Sequence, residues 1–118
     1  MGGSAIYFVC GFHQGASTNS HGFTRIDGAK APEGIGFEFV DHLTNNVEKG
    51  KKDEWSEFYK GIFGFTELQY FDIQGEKTGL VSDALQAPSK NFCMPINEAK
   101  EEKSQIAEYI REYKGAGI

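Results

Sequence analysis

Two segments of this chain have the apolar spacing of an α-helix, and the residues between them alternate as strands do. In each helical segment the apolar residues recur at i, i+3, i+4 and i+7, which places them on one face, most often against a core. These residues are Trp55, Phe58, Tyr59 and Ile62 in the first segment, and Ile106, Tyr109, Ile110 and Tyr113 in the second. We expect Asp53 to cap the first helix and Gly64 to end it in a left-handed conformation.

Four segments rich in β-branched and aromatic residues predict strands. The first spans residues 35–42 and is followed by a turn at residues 44–46. The other three span residues 68–73, 79–85 and 92–96 and lie between the two helices. This order predicts an α+β unit with a largely antiparallel four-stranded sheet and helices on one face.

The first 33 residues do not fit this unit. Ala5-Ile6-Tyr7-Phe8-Val9 reads as a short strand, whereas residues 11–33 are rich in Gly, Ser, Thr and Asn and lack apolar periodicity. A connection of that length is uncommon inside a compact domain. We therefore expect residues 1–33 to be a strand remnant and flexible linker, and residues 34–118 to form a single module that ends in a helix.

The composition of the chain argues against nucleic acid and membrane as its partners. The chain has 17 acidic and 12 basic side chains and a formal net charge of −5, which disfavours nucleic acid because phosphates are bound by clustered Lys and Arg. No apolar run approaches the roughly 20 residues of a membrane-spanning helix, and no signal peptide pattern is visible. Cys10 and Cys93 lack CxxC spacing, so we expect two reduced thiols and a cytoplasmic location.

His42 is the strongest candidate for a metal ligand in the sequence. Alternation places it on the strand face opposite Phe37 and Phe39, which we expect to pack under the first helix. Its imidazole would then point to the open side of the sheet, where it could bind a metal or serve a structural role. His13 and His21 lie in the glycine-rich segment without ligand spacing, and we expect both to be solvated.

Polar residues near the strand ends form a second candidate site. No nucleophile elbow or phosphate-binding glycine motif is present. Ser82, Asn97 and Gln105 are uncharged hydrogen-bonding residues, and residues 97–103 read as a charged loop before the last helix. If these three side chains converged on the open face, they could hold a hydroxyl or another small polar ligand.

Several separate segments resemble, in the same order, the C-terminal domain of the 4-hydroxyphenylpyruvate dioxygenase family. They are FVDHLTNNV at residues 39–47, WSEFY at 55–59, FGFT at 63–66, YFDI at 70–73, PINE at 95–98, KSQI at 103–106 and GAGI at 115–118. The resemblance covers residues 34–118 almost continuously. Residues 3–9 resemble the end of the family's N-terminal domain, and residues 10–31 depart from the family pattern.

The resemblance implies a vicinal-oxygen-chelate fold built from paired βαβββ modules. It also implies a non-haem Fe(II) site, with two histidines and a glutamate, that converts 4-hydroxyphenylpyruvate and O2 into homogentisate and CO2 in tyrosine catabolism. By position, His42 matches the first iron-ligating histidine. Ser82, Asn97 and Gln105 match residues that hydrogen-bond the phenol end of the substrate, and Pro95 matches a pocket wall.

The matching segment supplies only one of the three family ligands, because the second histidine and the glutamate of the family lie beyond the position that matches Ile118. We therefore expect this polypeptide alone not to turn over 4-hydroxyphenylpyruvate. Two alternatives stay open. One is an enzyme similar to hydroxymandelate synthase, which shares the fold and the ligands. The other is a non-catalytic module that binds a small ligand as a homodimer through its open sheet, as relatives of the bleomycin-resistance type do.

Overall fold

The computed structural model describes residues 4–8, 26–30, 33–75 and 78–118. The chain divides into two units, of which the smaller is Ala5–Glu38 and the larger contains Phe39–Ile118. The elements of the larger unit are β1 (Asn45–Val47), α1 (Lys52–Phe63), β2 (Thr66–Gln74), β3 (Gly79–Gln86), β4 (Cys93–Ala99) and α2 (Gln105–Tyr113). No helix among the described residues is both long and apolar enough to cross a lipid bilayer. The predicted division at residue 34 stays a prediction.

The four strands form one mixed sheet in the order β1-β4-β3-β2. Strand β1 runs parallel to β4, while the β4–β3 and β3–β2 pairs are antiparallel. A parallel pair needs a long crossover connection, and α1, β2 and β3 supply it between β1 and β4. The α+β class and the mostly antiparallel sheet are thus confirmed.

The hydrophobic core lies between α1 and one face of the sheet. Trp55 and Tyr59 of α1 pack in one cluster with Leu85 and Ile96, which are fully buried in the two central strands. Phe58, Phe63 and Phe65 border this cluster through a series of ring contacts at centroid distances of 5.3–6.5 Å. The aromatic spacing therefore predicted the packed face of α1 correctly, except that Ile62 is exposed.

Helix α1 begins two residues earlier than expected. Its N-cap is Lys51 rather than Asp53, and the Lys51 side chain makes no capping hydrogen bond. Instead, the Lys52 backbone N–H donates to the Glu98 carboxylate of β4 at 2.9 Å. A carboxylate from a distant strand thus satisfies one of the free N–H groups of the first turn. The prediction for Gly64 is confirmed, because this residue has φ +68° and donates its N–H to the Lys60 carbonyl.

The first predicted strand is wrong in its position. Residues 33–44 form no strand beyond a single bridge between His42 and Cys93, and β1 begins at Asn45, inside the predicted turn. Phe37 and Phe39 are 92% and 75% exposed rather than packed under α1. Alternation alone cannot form a strand, because the backbone needs hydrogen-bonding partners, and regular pairing with β4 begins only at Asn45.

Three smaller differences concern the chain ends and β4. Residues 5–8 adopt no regular structure, so the predicted N-terminal strand is wrong there. Strand β4 continues to Ala99, which places Asn97 within a strand instead of a loop. The C-cap of helix α2 is Lys114, which takes the left-handed conformation that is typical of glycine. The predictions for Cys10, His13 and His21 lie outside the described residues.

Candidate functional site

The two faces of the sheet have different neighbours. On the α1 side, the Ser56 hydroxyl donates to the Asp83 carboxylate at 2.6 Å, and Asp83 pairs with buried Ile96 across β3 and β4. Because successive side chains of a strand alternate, the adjacent residues Ser82 and Asn97 point to the opposite side. We call this side, away from α1, the open face.

His42 lies in line with β1 on the open face. His42 bridges Cys93, and three residues later in both segments Asn45 pairs with Ile96. The bridge therefore continues the β1–β4 register back to His42. Its side chain is 54% exposed, and the Asp41 carboxylate lies 2.8 Å from its Nδ1. A carboxylate in this position can hold Nδ1 protonated and leave Nε2 free as a metal ligand.

A cleft lies beside Cys93, the bridge partner of His42. The cleft has a volume of about 490 Å³, and Asp41, Cys93 and Phe92 contribute to its lining. Cys93 is a free thiol and is half-buried. No group of three or more His, Cys, Asp and Glu side chains within the described parts of the chain could hold a metal ion. Among the described residues, His42 therefore belongs to no three-donor group that could hold a metal ion.

Three of the predicted pocket residues lie together on the open face. Ser82 and Asn97 are direct partners across β3 and β4, and Pro95 follows on the same side of β4, opposite Ala84. Ser82 is only 4% exposed, whereas Pro95 and Asn97 are half-buried. No described residue forms a hydrogen bond with the side chain of Ser82 or Asn97, and Asn97 is the more exposed of the two.

Gln105 belongs to a different element and is exposed at the start of α2. Ser104 fixes that start, because its hydroxyl accepts the Ala107 backbone N–H at 3.1 Å. Gln105 and Tyr109 are four residues apart and share a face of the helix. A side chain built on Gly117 would lie 2.7 Å from the Tyr109 hydroxyl, and Gly117 pairs with Asn46 of β1. This face of α2 therefore borders the β1 edge of the sheet.

Asn46 is a residue of the open face that the sequence interpretation missed. The sequence pattern predicts a turn at residues 44–46, yet Asn46 lies in β1 directly beside Asn97. Its neighbours Asn45 and Val47 are buried on the α1 side, so its own side chain points the other way. The run of asparagines concealed the strand, because asparagine is typical of turns.

A charged cluster lies on the α1 side of β3. The Lys52 ammonium donates to both Asp83 oxygens at 2.8 and 2.9 Å and to Asp53 at 2.6 Å. Burial opposes the charge of Lys52, but the hydrogen bonds that its ammonium donates to Asp53 and Asp83 outweigh this effect, so the pKa of Lys52 is raised above 10.5. This cluster joins the start of α1 to Asp83 of β3.

Two known proteins are similar to this chain over its whole length. Protein MelA of Shewanella colwelliana is 48% identical over the whole chain, which covers 34% of that protein. The 4-hydroxyphenylpyruvate dioxygenase of Legionella pneumophila is 45% identical over the whole chain, which covers 33% of that protein. The resemblance to 4-hydroxyphenylpyruvate dioxygenases is therefore confirmed. The chain spans about one third of the length of these two relatives, and no family model matches it.

Solved structures agree on the fold. A mutant of 4-hydroxymandelate synthase from Streptomyces coelicolor superimposes with a TM-score of 0.62 at 18% identity, over 66% of this chain and 23% of that one. Methylmalonyl-CoA epimerase from Mycobacterium tuberculosis gives a TM-score of 0.54 at 20% identity, over 66% and 49% of the two chains. At such low identity these neighbours show the vicinal-oxygen-chelate fold alone. The dioxygenase resemblance comes from the sequence relatives.

Proposed function

We propose that this chain forms one βαβββ module of a cytoplasmic, Fe(II)-dependent dioxygenase that converts 4-hydroxyphenylpyruvate and O2 into homogentisate and CO2 in tyrosine catabolism. One observation carries the proposal. The open face presents His42 together with Ser82, Pro95 and Asn97, and the chain is 45% identical over its whole length to a dioxygenase of that name.

In this proposal His42 provides one iron ligand through Nε2, and Asp41 orients its imidazole. The remaining ligands come from a second module, either in a longer polypeptide or in another copy of this chain. When bound, Fe(II) would bind the 2-oxo acid and activate O2. We assign no catalytic step to this chain alone, because its described residues do not complete the donor set.

The chain's own residues would bind the other end of the substrate. Ser82 and Asn97 are neutral, lack hydrogen bonds to the described residues and lie side by side, so they suit a phenol hydroxyl that both donates and accepts. Pro95 offers an apolar surface for the ring beside them. Gln105 would approach from α2 at the β1 edge. Burial of these groups by the second module would exclude water from the site.

A chimeric enzyme tests this proposal. The matching third of the Legionella pneumophila dioxygenase is replaced by this chain, and homogentisate is measured after addition of Fe(II), ascorbate and 4-hydroxyphenylpyruvate. We expect homogentisate formation, its loss in the His42→Ala chimera, and no change with Gln74→Ala, which alters an exposed residue at the end of β2. A folded chimera without activity, or full activity with His42→Ala, would contradict the proposal. Formation of hydroxymandelate instead would favour the synthase alternative.

A second candidate is a ligand-binding homodimer that closes its open face with another copy. The exposed apolar residues Phe71 and Ile73 favour it, because they lie on this face in β2 and are 37% and 50% exposed. Sedimentation of the 118-residue chain tests the homodimer. A stable dimer whose affinity falls with Phe71→Ser supports the homodimer, and a monomer at high concentration removes it. In either case we expect the chain alone to form no homogentisate.

A further inference from the structure

The open face carries a row of three polar residues that crosses three strands. The β1–β4 register sets Asn46 beside Asn97, and the β4–β3 register sets Ser82 on the other side of Asn97. Adjacent strands lie about 4.8 Å apart, so the row spans roughly 10 Å. We call Asn46, Asn97 and Ser82 the polar row. Asn46 is its one member that the family resemblance did not single out.

Asn46 is held rigidly but its side chain is unused. Its backbone N–H donates to the Gly117 carbonyl at 2.9 Å, and its carbonyl accepts the Gly117 N–H at 3.0 Å. Its carboxamide forms no hydrogen bond with any residue in the described ranges. Asn45, the adjacent asparagine, differs because it is buried and donates to the Tyr59 hydroxyl at 3.5 Å. Asn46 thus offers two donors and an acceptor from a fixed position.

The position of the polar row relative to His42 suits one kind of ligand. His42 pairs with Cys93, and Asn97 lies four residues further along β4, which is about 13 Å in a strand. A ligand with a chelating group at one end, one aromatic ring and a hydroxyl at the other end is of comparable length. The row is uncharged, so it suits a neutral hydroxyl better than a second carboxylate.

We propose that Asn46 is a specificity-determining residue of the open face, which hydrogen-bonds the ring hydroxyl of the ligand together with Asn97 and Ser82. This inference rests on the proposed function, because it assumes an aromatic 2-oxo acid on the open face. Tyr109 and Tyr113 stack at 5.3 Å between ring centroids and border Gly117 next to Asn46. They provide an aromatic wall at this end of the row.

The test compares two probes that differ only in the hydroxyl. Binding of 4-hydroxyphenylpyruvate and of phenylpyruvate to the 118-residue chain is followed by changes in amide NMR shifts. We expect the hydroxylated probe to bind more tightly, and we expect Asn46→Ala to reduce this preference about 2- to 10-fold, the value of a single neutral hydrogen bond. Phenylpyruvate affinity should stay unchanged. Gln74→Ala serves as the control, since it removes an exposed amide outside the row.

The outcomes separate this inference from the proposed function. If both probes bind and Asn46→Ala keeps the preference while Asn97→Ala removes it, the role of Asn46 is overturned and the proposed function stands. If neither probe shifts any resonance at millimolar concentration, the inference about Asn46 is overturned, whereas the proposed function is decided by the chimeric enzyme. The amide spectrum of each variant reports folding. Should Asn46→Ala unfold, Asn46→Leu keeps a side chain of similar size without donors or acceptors, and an undiminished preference in that variant overturns the inference equally.

Discussion

The Lys52–Asp83 pair makes the stability of this chain testable with a single substitution. Asp83→Ala removes a carboxylate that is 5% exposed and that accepts three hydrogen bonds, two from Lys52 and one from Ser56. The Lys52 side chain is itself only 14% exposed, so its charge would remain without a buried partner. Ser56 is 1% exposed and would lose the acceptor of its hydroxyl.

The expected loss is large for a chain of this size. Breaking a buried ion pair by removing one partner costs about 3–5 kcal/mol. Because Asp53 would still contact Lys52 at 2.6 Å, we expect the lower end, about 3 kcal/mol. Domains of this class are stable by about 5–15 kcal/mol, so the variant would lose a substantial part of its stability. With a urea m-value of about 1.5 kcal/mol/M, the midpoint of unfolding should fall by roughly 2 M.

Urea unfolding followed by the fluorescence of Trp55 measures this shift. Asp53→Ala is the matched control, because it removes a carboxylate from the same lysine at a site that is 89% exposed. Exposed pairs contribute about 0–1 kcal/mol, so the control should move the midpoint by about 0.5 M or less. Equal shifts for Asp53→Ala and Asp83→Ala would refute the argument that burial of the carboxylate determines its contribution.

Three further substitutions or conditions have defined outcomes. Gly64→Ala should lower the free energy of unfolding by about 1 kcal/mol, because φ at this position is +68° and a Cβ is unfavourable there; urea unfolding measures it. Ser104→Ala should cost about 1 kcal/mol through the lost α2 cap, and should increase hydrogen exchange at the Ala107 amide, whereas unchanged exchange would contradict a capping role. The pKa values of Lys52 and Tyr59 are both raised, Tyr59 mainly by burial. A raised pKa stabilises the fold below the unfolded value and loses that contribution as pH rises through the folded value. Stability should therefore be constant near neutral pH and fall above about pH 10, and Tyr59→Phe should reduce that fall.

The elements with their own periodicity were predictable from the sequence. Both helices and the strands β2 and β3 follow from local patterns, because each carries enough apolar residues to define a face. Strand β1 does not, since Asn45 and Asn46 favour turns and become a strand only beside β4 and Gly117. The alternating segment before β1 had the pattern of a strand but lacks regular pairing among the described residues.

The candidate site was predictable only in part. The resemblance singled out His42, Ser82, Pro95 and Asn97, but their common face depends on the β3–β4 register, which a six-residue connection between the strands does not fix. The Lys52–Asp83 pair joins residues 31 positions apart, a separation at which no local spacing rule operates. Asn46 was missed for the same reason, because its place beside Asn97 is a property of the sheet.

Residues on the α1 side of the sheet determine where the side chains of the open face lie. The residue that precedes or follows each member of the polar row in the chain is fixed on the α1 side. Beside Asn46, Asn45 is hydrogen-bonded to Tyr59. Beside Ser82, Asp83 is hydrogen-bonded to Lys52 and Ser56, and beside Asn97, Ile96 is completely buried. A strand residue cannot shift along or across the sheet without its neighbours, so the core and the charged cluster determine where the row lies. The side chains of the row form no hydrogen bonds with the described residues, so replacing the two asparagines with alanine should change stability little. Stability and ligand recognition are therefore assigned to alternate residues of the same strands, which allows each to be altered separately.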